Sequence, residues 1–338
     1  MKRFSVLSFV IVCTLLLAAC APAATPAAPT AVPAVPTSTT APKAAPTNTA
    51  PPAPTAVPTD TAVPPTATPA APTPVAQIPP ESLGQKARLL ICSDFPYPPQ
   101  EFFDENGNPQ GLDVDLGNEI GARLGLQTQW VNSVFDTIIA AVASGKCDII
   151  ISAQNITADR QKQVSMIPYF KAGQSFVSVK GNPNKINAPM DLCGKSVAAE
   201  SGTTEVDHLN GTGDYKDNGI VQMCQKAGQQ PPEVVVTQKD SDALQQLQAN
   251  KVVVYFTDSP VAGYYIVQHP DLFEVVGQVI DPINEGISVP CGVADCTQAP
   301  LTAVGQAVET ALKSMMADGT YLKILTRWNL ANGAVTLP

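Results

Sequence analysis

Short apolar runs and stretches with helical spacing alternate along residues 89–328. A short apolar run bounded by polar or turn residues is typical of a buried strand. Such runs predict strands at 89–92, 148–152, 176–179, 196–199, 234–236, 252–256 and 287–289. Apolar residues at i, i+3, i+4 and i+7 predict helices, at 113–124, 135–142, 157–164, 241–249, 260–268, 301–317 and 321–328. Strands and helices in this alternation indicate parallel βαβ units, and hence an α/β protein.

The start of the chain predicts export. Lys2 and Arg3 precede an almost wholly apolar stretch, which ends in small residues before Cys20. This order is that of a secretion signal, and Cys20 after small residues resembles the bacterial lipobox, whose cysteine receives lipid. We expect residues 1–20 to be a lipoprotein signal peptide and the mature chain to be anchored to the outer face of the bacterial cell membrane. The alternative is a plain signal peptide with a chance cysteine.

Residues 21–80 form a low-complexity segment. Of these 60 residues, 49 are Pro, Ala or Thr, and the charged ones are Lys43 and Asp60. A segment with so much proline and so few large apolar groups cannot bury a core. We expect a disordered tether that extends over at most ~190 Å, at about 3.1 Å per residue, and that holds the folded part away from the membrane.

Composition and charge exclude several functions. The formal net charge is −9, so a basic surface for nucleic acid is not expected. His208 and His269 are the two histidines of the chain, which argues against a catalytic histidine network and against a histidine-based metal site. We expect neither a metal nor a cofactor. A second long apolar run is missing from the sequence, so no internal transmembrane helix is predicted.

Several segments, in their order and spacing, resemble the extracellular solute-binding proteins of polar amino-acid ABC transporters, often called family 3. They are GLDVDL at 111–116, SGKCDIIIS at 144–152, NITADR at 155–160, SGTT at 201–204, TDSPVA at 257–262 and ADGTY at 317–321. The resemblance covers about residues 85–332. It implies a two-lobed periplasmic-binding-protein-like fold of type II, in which each lobe is a mostly parallel sheet flanked by helices and two hinge strands join the lobes.

The resemblance also implies the lobe boundaries and the role. Lobe 1 is expected at 83–173 and 286–338, lobe 2 at 180–278, and the hinge at 174–179 and 279–285. A protein of this family catalyses nothing; it closes on a free amino acid and presents its closed form to the permease subunits of an ABC importer. We expect a monomer with that role.

The resemblance implies which residues bind the two charges of a free amino acid. Arg160 matches the family's carboxylate-binding arginine. An arginine suits this role because its guanidinium fits a carboxylate in a bidentate fork. The alternative is a solvated arginine on a helix surface. Thr204 matches the second carboxylate ligand and lies with Thr203 at a predicted helix start, where ordinary capping is the alternative. Asp258 matches the residue that pairs the ammonium, and Ser259 is predicted to cap the helix that follows.

Other carried-over positions surround the backbone and side chain of the ligand. Asn155 and, through its backbone, Ala153 match positions that contact the ammonium or the carboxylate. Tyr97 and Phe135 match the aromatic pair on either side of the ligand side chain, where they would attract apolar stems and cations. Core packing is the alternative for both rings, and it is stronger for Phe135, which continues the apolar stripe of a helix.

Specificity rests on Asp94, Ser152 and Glu200 in this resemblance. Glutamine-binding relatives carry lysine at the Glu200 position, and relatives that take basic amino acids carry an uncharged residue or an acid. Two carboxylates beside two rings suit a guanidinium or an ammonium, so arginine, lysine or ornithine is expected. If Glu200 is instead a rim residue facing solvent, the ligand could be glutamine, glutamate or cystine.

The cysteines left after the signal fit an oxidising compartment. Cys291 and Cys296 flank a short loop after a strand and are expected to form a local disulfide. A second disulfide is expected between Cys193 and Cys224, which bracket a strand–helix unit and have counterparts in some relatives. The remaining pair, Cys92 with Cys147, is predicted to lie on neighbouring strands at different heights and to stay as buried free thiols. Metal binding is not expected, because no Cys-x-x-Cys pair occurs.

Two other functions compete with the transport role. A secreted dehydratase of the cyclohexadienyl type shares this fold and would need a general acid in the cleft, for which Glu200 is the candidate. A sensory binding domain is less favoured, because the chain has no kinase or coiled coil. Arg160 and Asp258 together suit a zwitterion, whereas a dicarboxylate such as prephenate would be repelled by Asp258.

Overall fold

The computed structural model describes residues 73–85 and 87–338. The export signal, Cys20 and the tether as far as residue 72 lie outside the described residues. Residues 75–80, which were expected to belong to the tether, are packed on the fold: the Val75 N–H donates to the Arg123 carbonyl at 2.8 Å, and Ile78 is buried in a core. Within the described part, no helix combines the length and the apolar character that a membrane span requires.

The described residues alternate strands and helices, as predicted. The strands are β1 (Arg88–Ser93), β2 (Phe102–Phe103), β3 (Pro109–Gln110), β4 (Gln127–Asn132), β5 (Ile149–Ile150), β6 (Ser165–Val179), β7 (Ser196–Glu200), β8 (Glu233–Thr237), β9 (Val254–Asp258) and β10 (Phe273–Val289). The α-helices are α1 (Leu112–Arg123), α2 (Ile138–Ala143), α3 (Ala158–Gln161), α4 (Thr204–Asn210), α5 (Ile220–Lys226), α6 (Asp240–Gln248), α7 (Ser259–Gln268), α8 (Ala303–Ala317) and α9 (Thr320–Arg327).

Eight of these strands form one sheet, in the order β4-β1-β5-β10-β6-β9-β7-β8. β1 is parallel to β4 and β5, and β7 is parallel to β8 and β9. Between these two parallel groups run β6 and β10, which are 15 and 17 residues long and antiparallel to each other. The sheet therefore consists of two parallel halves that two long strands connect.

Each half of the sheet has its own hydrophobic core. Helices α1, α8 and α9 pack on the β1 half through residues such as Leu116, Leu312 and Leu325, whereas α4 and α5 pack on the β7 half. β6 contributes Tyr169 to the first core and Phe176 to the second. We call the half with β1–β5, α1–α3, α8 and α9 lobe 1, and the half with β7–β9 and α4–α7 lobe 2.

Several elements differ from the sequence prediction, and four of them show why. β4 was missed because its sequence, QTQWVN, contains no apolar run and lies half-buried at the edge of the sheet. β6 and β10 extend far beyond the predicted 176–179 and 287–289, because polar residues along the crossing between the lobes interrupt their apolar pattern. The helix predicted at 157–164 ends at Gln161, although its predicted cap is present: the Thr157 hydroxyl accepts from the Arg160 N–H.

Three disulfides join the six described cysteines. The structure pairs Cys193 with Cys224 and Cys291 with Cys296, each with Cα atoms 5.6 Å apart. It also pairs Cys92 with Cys147, whose Cα atoms are 5.7 Å apart, so the prediction of two free thiols was wrong. The prediction assumed that both cysteines lie on regular strands and at different positions along them. β5 begins only at Ile149, however, and Cys147 lies in the loop before it.

Candidate functional site

A narrow cavity lies between the lobes, where the parallel strands end. Asp94 follows β1, Ser152 and Ala153 follow β5, and Glu200 and Asp258 are the last residues of β7 and β9. In an open α/β sheet, the carboxyl ends of the strands are where ligands bind. The cavity is lined by Asp94, Tyr97, Glu101, Phe135, Ser152, Ala153, Asn155, Glu200, Thr203, Glu205 and Asp258.

Arg160 is not itself among the lining residues, but it contacts two of them, Asn155 and Phe135, and it forms no ion pair within the described part of the chain. One guanidinium nitrogen, Nη1, donates to the Asn155 carbonyl at 2.8 Å, and the other, Nη2, donates to the Gly202 carbonyl at 2.9 Å. The guanidinium carbon lies 5.3 Å from the centre of the half-buried Phe135 ring. Both polar contacts are with neutral oxygens, so the positive charge stays available for a ligand anion. Arg160 is not a solvated residue, because it is only 9% exposed.

The two threonines of the SGTT segment act at the start of α4. Thr203 lines the cavity and caps the helix, since its hydroxyl accepts from the Val206 N–H. Thr204 lies behind the cavity wall and donates to Asn155 Oδ1 across the cleft at 2.7 Å. The amide nitrogen of Asn155 is buried and has no hydrogen-bond partner within the described chain. This amide group therefore has an unused donor at the cavity.

Asp258 is held by a tyrosine from the opposite lobe. The Tyr97 hydroxyl donates to Asp258 Oδ2 at 2.8 Å, whereas Oδ1 is buried without a partner among the described residues. Asp258, and not Ser259, occupies the N-cap position of α7, but its side chain makes no capping bond. Burial raises the pKa of Asp258 to about 6, against the opposing effects of Tyr97 and Arg160. One carboxylate oxygen is thus free to accept from a ligand.

The other end of the cavity contains an ion pair that the sequence did not predict. Asp94 accepts from the Phe135 N–H through Oδ2 at 2.6 Å, and its Oδ1 forms an ion pair with the Lys239 ammonium of lobe 2. Lys239 also donates to the Phe95 carbonyl at 3.2 Å. Burial raises the pKa of Asp94, and the bond to Lys239 opposes that rise.

Glu200 faces the cavity beside this ion pair. It is only 5% exposed, so it is not a rim residue facing solvent. Burial, followed by the negative charges of Asp240 and Asp94, raises the pKa of Glu200 to about 10. At neutral pH Glu200 is therefore a neutral acid.

Two further lining acids, Glu101 and Glu205, were not predicted. Each is buried, and one carboxyl oxygen of each has no partner within the described residues. Burial raises the pKa of both well above its usual range, and the charge of Asp113 adds to the rise at Glu101, as that of Asp258 does at Glu205. Glu205 directly follows the SGTT segment, which was a usable signal; Glu101 follows a proline-rich loop, where the sequence offered none.

Ser152 and Ala153 support the lobe 1 wall of the cavity. The Ser152 hydroxyl donates to Glu101 Oε1 at 2.6 Å and accepts from the Asp94 N–H at 2.9 Å. The Ala153 N–H donates to Asp113 at 2.9 Å, which leaves its carbonyl as the backbone group available for a ligand. Both residues lie where the motif placed them, and their hydrogen bonds position neighbouring groups. No group of side chains suitable for a metal ion occurs in the described ranges.

A two-lobed α/β fold with a cavity between the lobes is the architecture of proteins that bind small solutes. The chain belongs to the bacterial extracellular solute-binding proteins, family 3, whose family model matches residues 89–331. The expected family and fold class are thus confirmed. By family the protein is an extracellular one.

Relatives with known roles bind amino acids. The ABC transporter arginine-binding protein 1 of Escherichia coli is 28% identical over 69% of this chain and 86% of its own. A solved ancestral arginine-binding protein bound to arginine is 33% identical, with a TM-score of 0.62, over 72% of this chain and 98% of that chain. The ancestral amino acid-binding protein AncCDT-1, a precursor of cyclohexadienyl dehydratase, is 28% identical, with a TM-score of 0.59, over 72% of this chain and 95% of that chain.

Proposed function

We propose that this chain is the substrate-binding component of an ABC importer and that its ligand is a basic amino acid, with arginine the first choice and lysine and ornithine next. One observation carries the proposal. The cavity is lined by five carboxyl groups, of Asp94, Glu101, Glu200, Glu205 and Asp258, and Lys239 pairs with only the first of them. Burial disfavours the ionisation of acids that have no cationic partner, so this site favours a ligand that brings positive charge and lets them ionise.

The two ends of the cavity suit the two ends of arginine. The ligand carboxylate would bind the free N–H groups of Arg160, and the ligand ammonium would donate to the unpaired Oδ1 of Asp258. The aliphatic stem would lie beside the Tyr97 and Phe135 rings, and the guanidinium would pair with Glu200 after that acid loses its proton. Each buried charge of the ligand then has a partner of opposite sign, as burial of an ion requires.

The export and membrane parts of the proposal rest on the N-terminal sequence. A lipidated Cys20 would fix the chain to the outer face of the cell membrane, and the tether would let the domain reach its permease. The ligand-loaded domain would dock on the permease as a monomer. Metabolic labelling with a radioactive fatty acid tests the anchor: the wild-type chain should take up the label and stay with the membrane fraction, whereas Cys20→Ala should take up none. A Cys20→Ala chain that still carries the label would contradict the anchor.

A thermal-shift panel on the full chain tests the ligand. It would include arginine, lysine, ornithine, glutamine, glutamate, cystine and prephenate. A ligand at about a thousand times its Kd adds ~4 kcal/mol of stability, which corresponds to a rise in Tm on the order of 8–15 °C for this size of domain. A large shift with basic amino acids alone is expected. A shift with glutamine, glutamate or cystine alone would contradict the basic specificity and keep the binding role.

A second candidate function follows from the neutral state of Glu200. A buried carboxylic acid with a pKa of about 10 in the cleft can serve as a general acid, so a dehydratase on this fold is the competing proposal. Asp258 disfavours it, because a dicarboxylate would meet a like charge. A shift with prephenate, together with its turnover, would favour the enzyme and overturn the transport proposal.

A further inference from the structure

Lys239 brings a positive charge of the protein itself to the end of the cavity where a ligand cation is expected. It lies at the N-cap position of α6 in lobe 2, and its ammonium reaches across the cleft to Asp94 and to the Phe95 carbonyl in lobe 1. The lysine side chain is 26% exposed and the Asp94 side chain 5% exposed. The ion pair is therefore largely shielded from solvent, and its charges act strongly on their neighbours.

Both oxygens of Asp94 already have protein donors. Oδ1 pairs with Lys239 and Oδ2 accepts from the Phe135 N–H. A ligand cation at this end therefore meets an aspartate whose charge is balanced, a neighbouring ammonium that repels it, and Glu200 as the acid still able to ionise. The balance of these charges, and not the number of acids alone, sets how strongly the cavity prefers a charged over a neutral side chain.

We infer that Lys239 is a selectivity-determining residue: as the internal counter-ion of Asp94, it limits the preference for cationic over neutral side chains and leaves Glu200 to bind the ligand cation. The inference rests on the proposed function. Lys239 also links the two lobes, so its removal weakens closure around every ligand. A ratio of affinities for two ligands of equal shape cancels this common effect and isolates the electrostatic one.

Arginine and citrulline are such a pair, because citrulline has the shape of arginine without its side-chain charge. Calorimetric titration of the full chain would measure both Kd values for the wild type, Lys239→Gln, Lys239→Arg and the matched control Lys251→Gln. Lys251 is an exposed lysine of lobe 2. We expect the arginine-to-citrulline preference to rise about tenfold, or about 1.4 kcal/mol, in Lys239→Gln and to stay at the wild-type value in the other two.

Asp94→Asn provides the opposite perturbation. It leaves the Lys239 charge unbalanced, so the preference for arginine over citrulline should fall about tenfold below the wild type. If Lys239→Gln weakens arginine and citrulline by the same factor, Lys239 is only a link between the lobes and the inference is overturned. If the wild-type chain binds arginine but the ratio does not change in either variant, the inference alone fails. A wild-type chain that binds neither ligand overturns the proposed function as well.

Discussion

Replacement of Arg160 by alanine is the sharpest single perturbation of the proposed ligand site. Its guanidinium donates to two backbone carbonyls, and the residue is only 9% exposed. The remaining N–H groups can give a ligand carboxylate two charge-assisted hydrogen bonds of ~1.5–3 kcal/mol each. We expect Arg160→Ala to weaken arginine binding by about 3–5 kcal/mol, or roughly 150- to 5,000-fold in Kd.

Agmatine separates the loss of the carboxylate contact from general damage to the site. It is arginine without the carboxylate, so Arg160→Ala should leave its Kd within about threefold, a change of under ~1 kcal/mol. Calorimetry of both ligands with the wild type, Arg160→Ala and Arg160→Lys gives the coupling directly. The lysine variant keeps the charge but loses the bidentate geometry, and should fall between the other two. Equal losses for arginine and agmatine would refute the assignment of Arg160 to the carboxylate.

Three further predictions concern charge and stability. Glu200→Lys should weaken arginine binding by about 100-fold or more, since it places a like charge at the cation end; Kd measured by calorimetry decides this, and an unchanged value would exclude Glu200 from the site. Because the pKa of Glu200 is about 10, pairing with the arginine guanidinium at pH 7 should release a proton, and arginine binding should tighten as pH rises. Calorimetric titrations in phosphate and in Tris would measure the proton release, and proton uptake would contradict it. Replacing both Cys92 and Cys147 by alanine should lower the free energy of unfolding by about 4 kcal/mol, and replacing both Cys291 and Cys296 should lower it by about 2 kcal/mol. The first loss is larger because that disulfide spans 55 residues and the second spans 5. Equal losses in urea unfolding would contradict this dependence on loop length.

The family motifs in the sequence were enough to predict most of the fold and much of the cavity lining. Arg160, Glu200 and Asp258 lie in or beside short segments whose order is typical of the family. Glu200 and Asp258 line the cavity, and Arg160 contacts residues that line it. Their positions follow from strand ends, which apolar patterns locate well. The lobes themselves were predictable for the same reason.

The residues that were missed depend on contacts between distant parts of the chain. Lys239 is 145 residues from Asp94, and in the sequence it looks like an ordinary solvated residue before a helix. Glu101 has no motif, and its role depends on a loop that turns its carboxyl group inward. β4 pairs with β1 through backbone hydrogen bonds at the edge of the sheet, and its polar sequence gives no pattern that predicts a strand there. The pairing of Cys92 with Cys147 likewise depends on the path of a loop and not on strand register.

A crystal structure of the full chain with arginine would test the proposed binding geometry. We expect the ligand carboxylate on Arg160, the ammonium on Asp258, and the guanidinium within hydrogen-bond distance of Glu200, with Lys239 still paired to Asp94. A guanidinium that lies away from Glu200, or a ligand bound with its carboxylate at the Asp94 end, would contradict it.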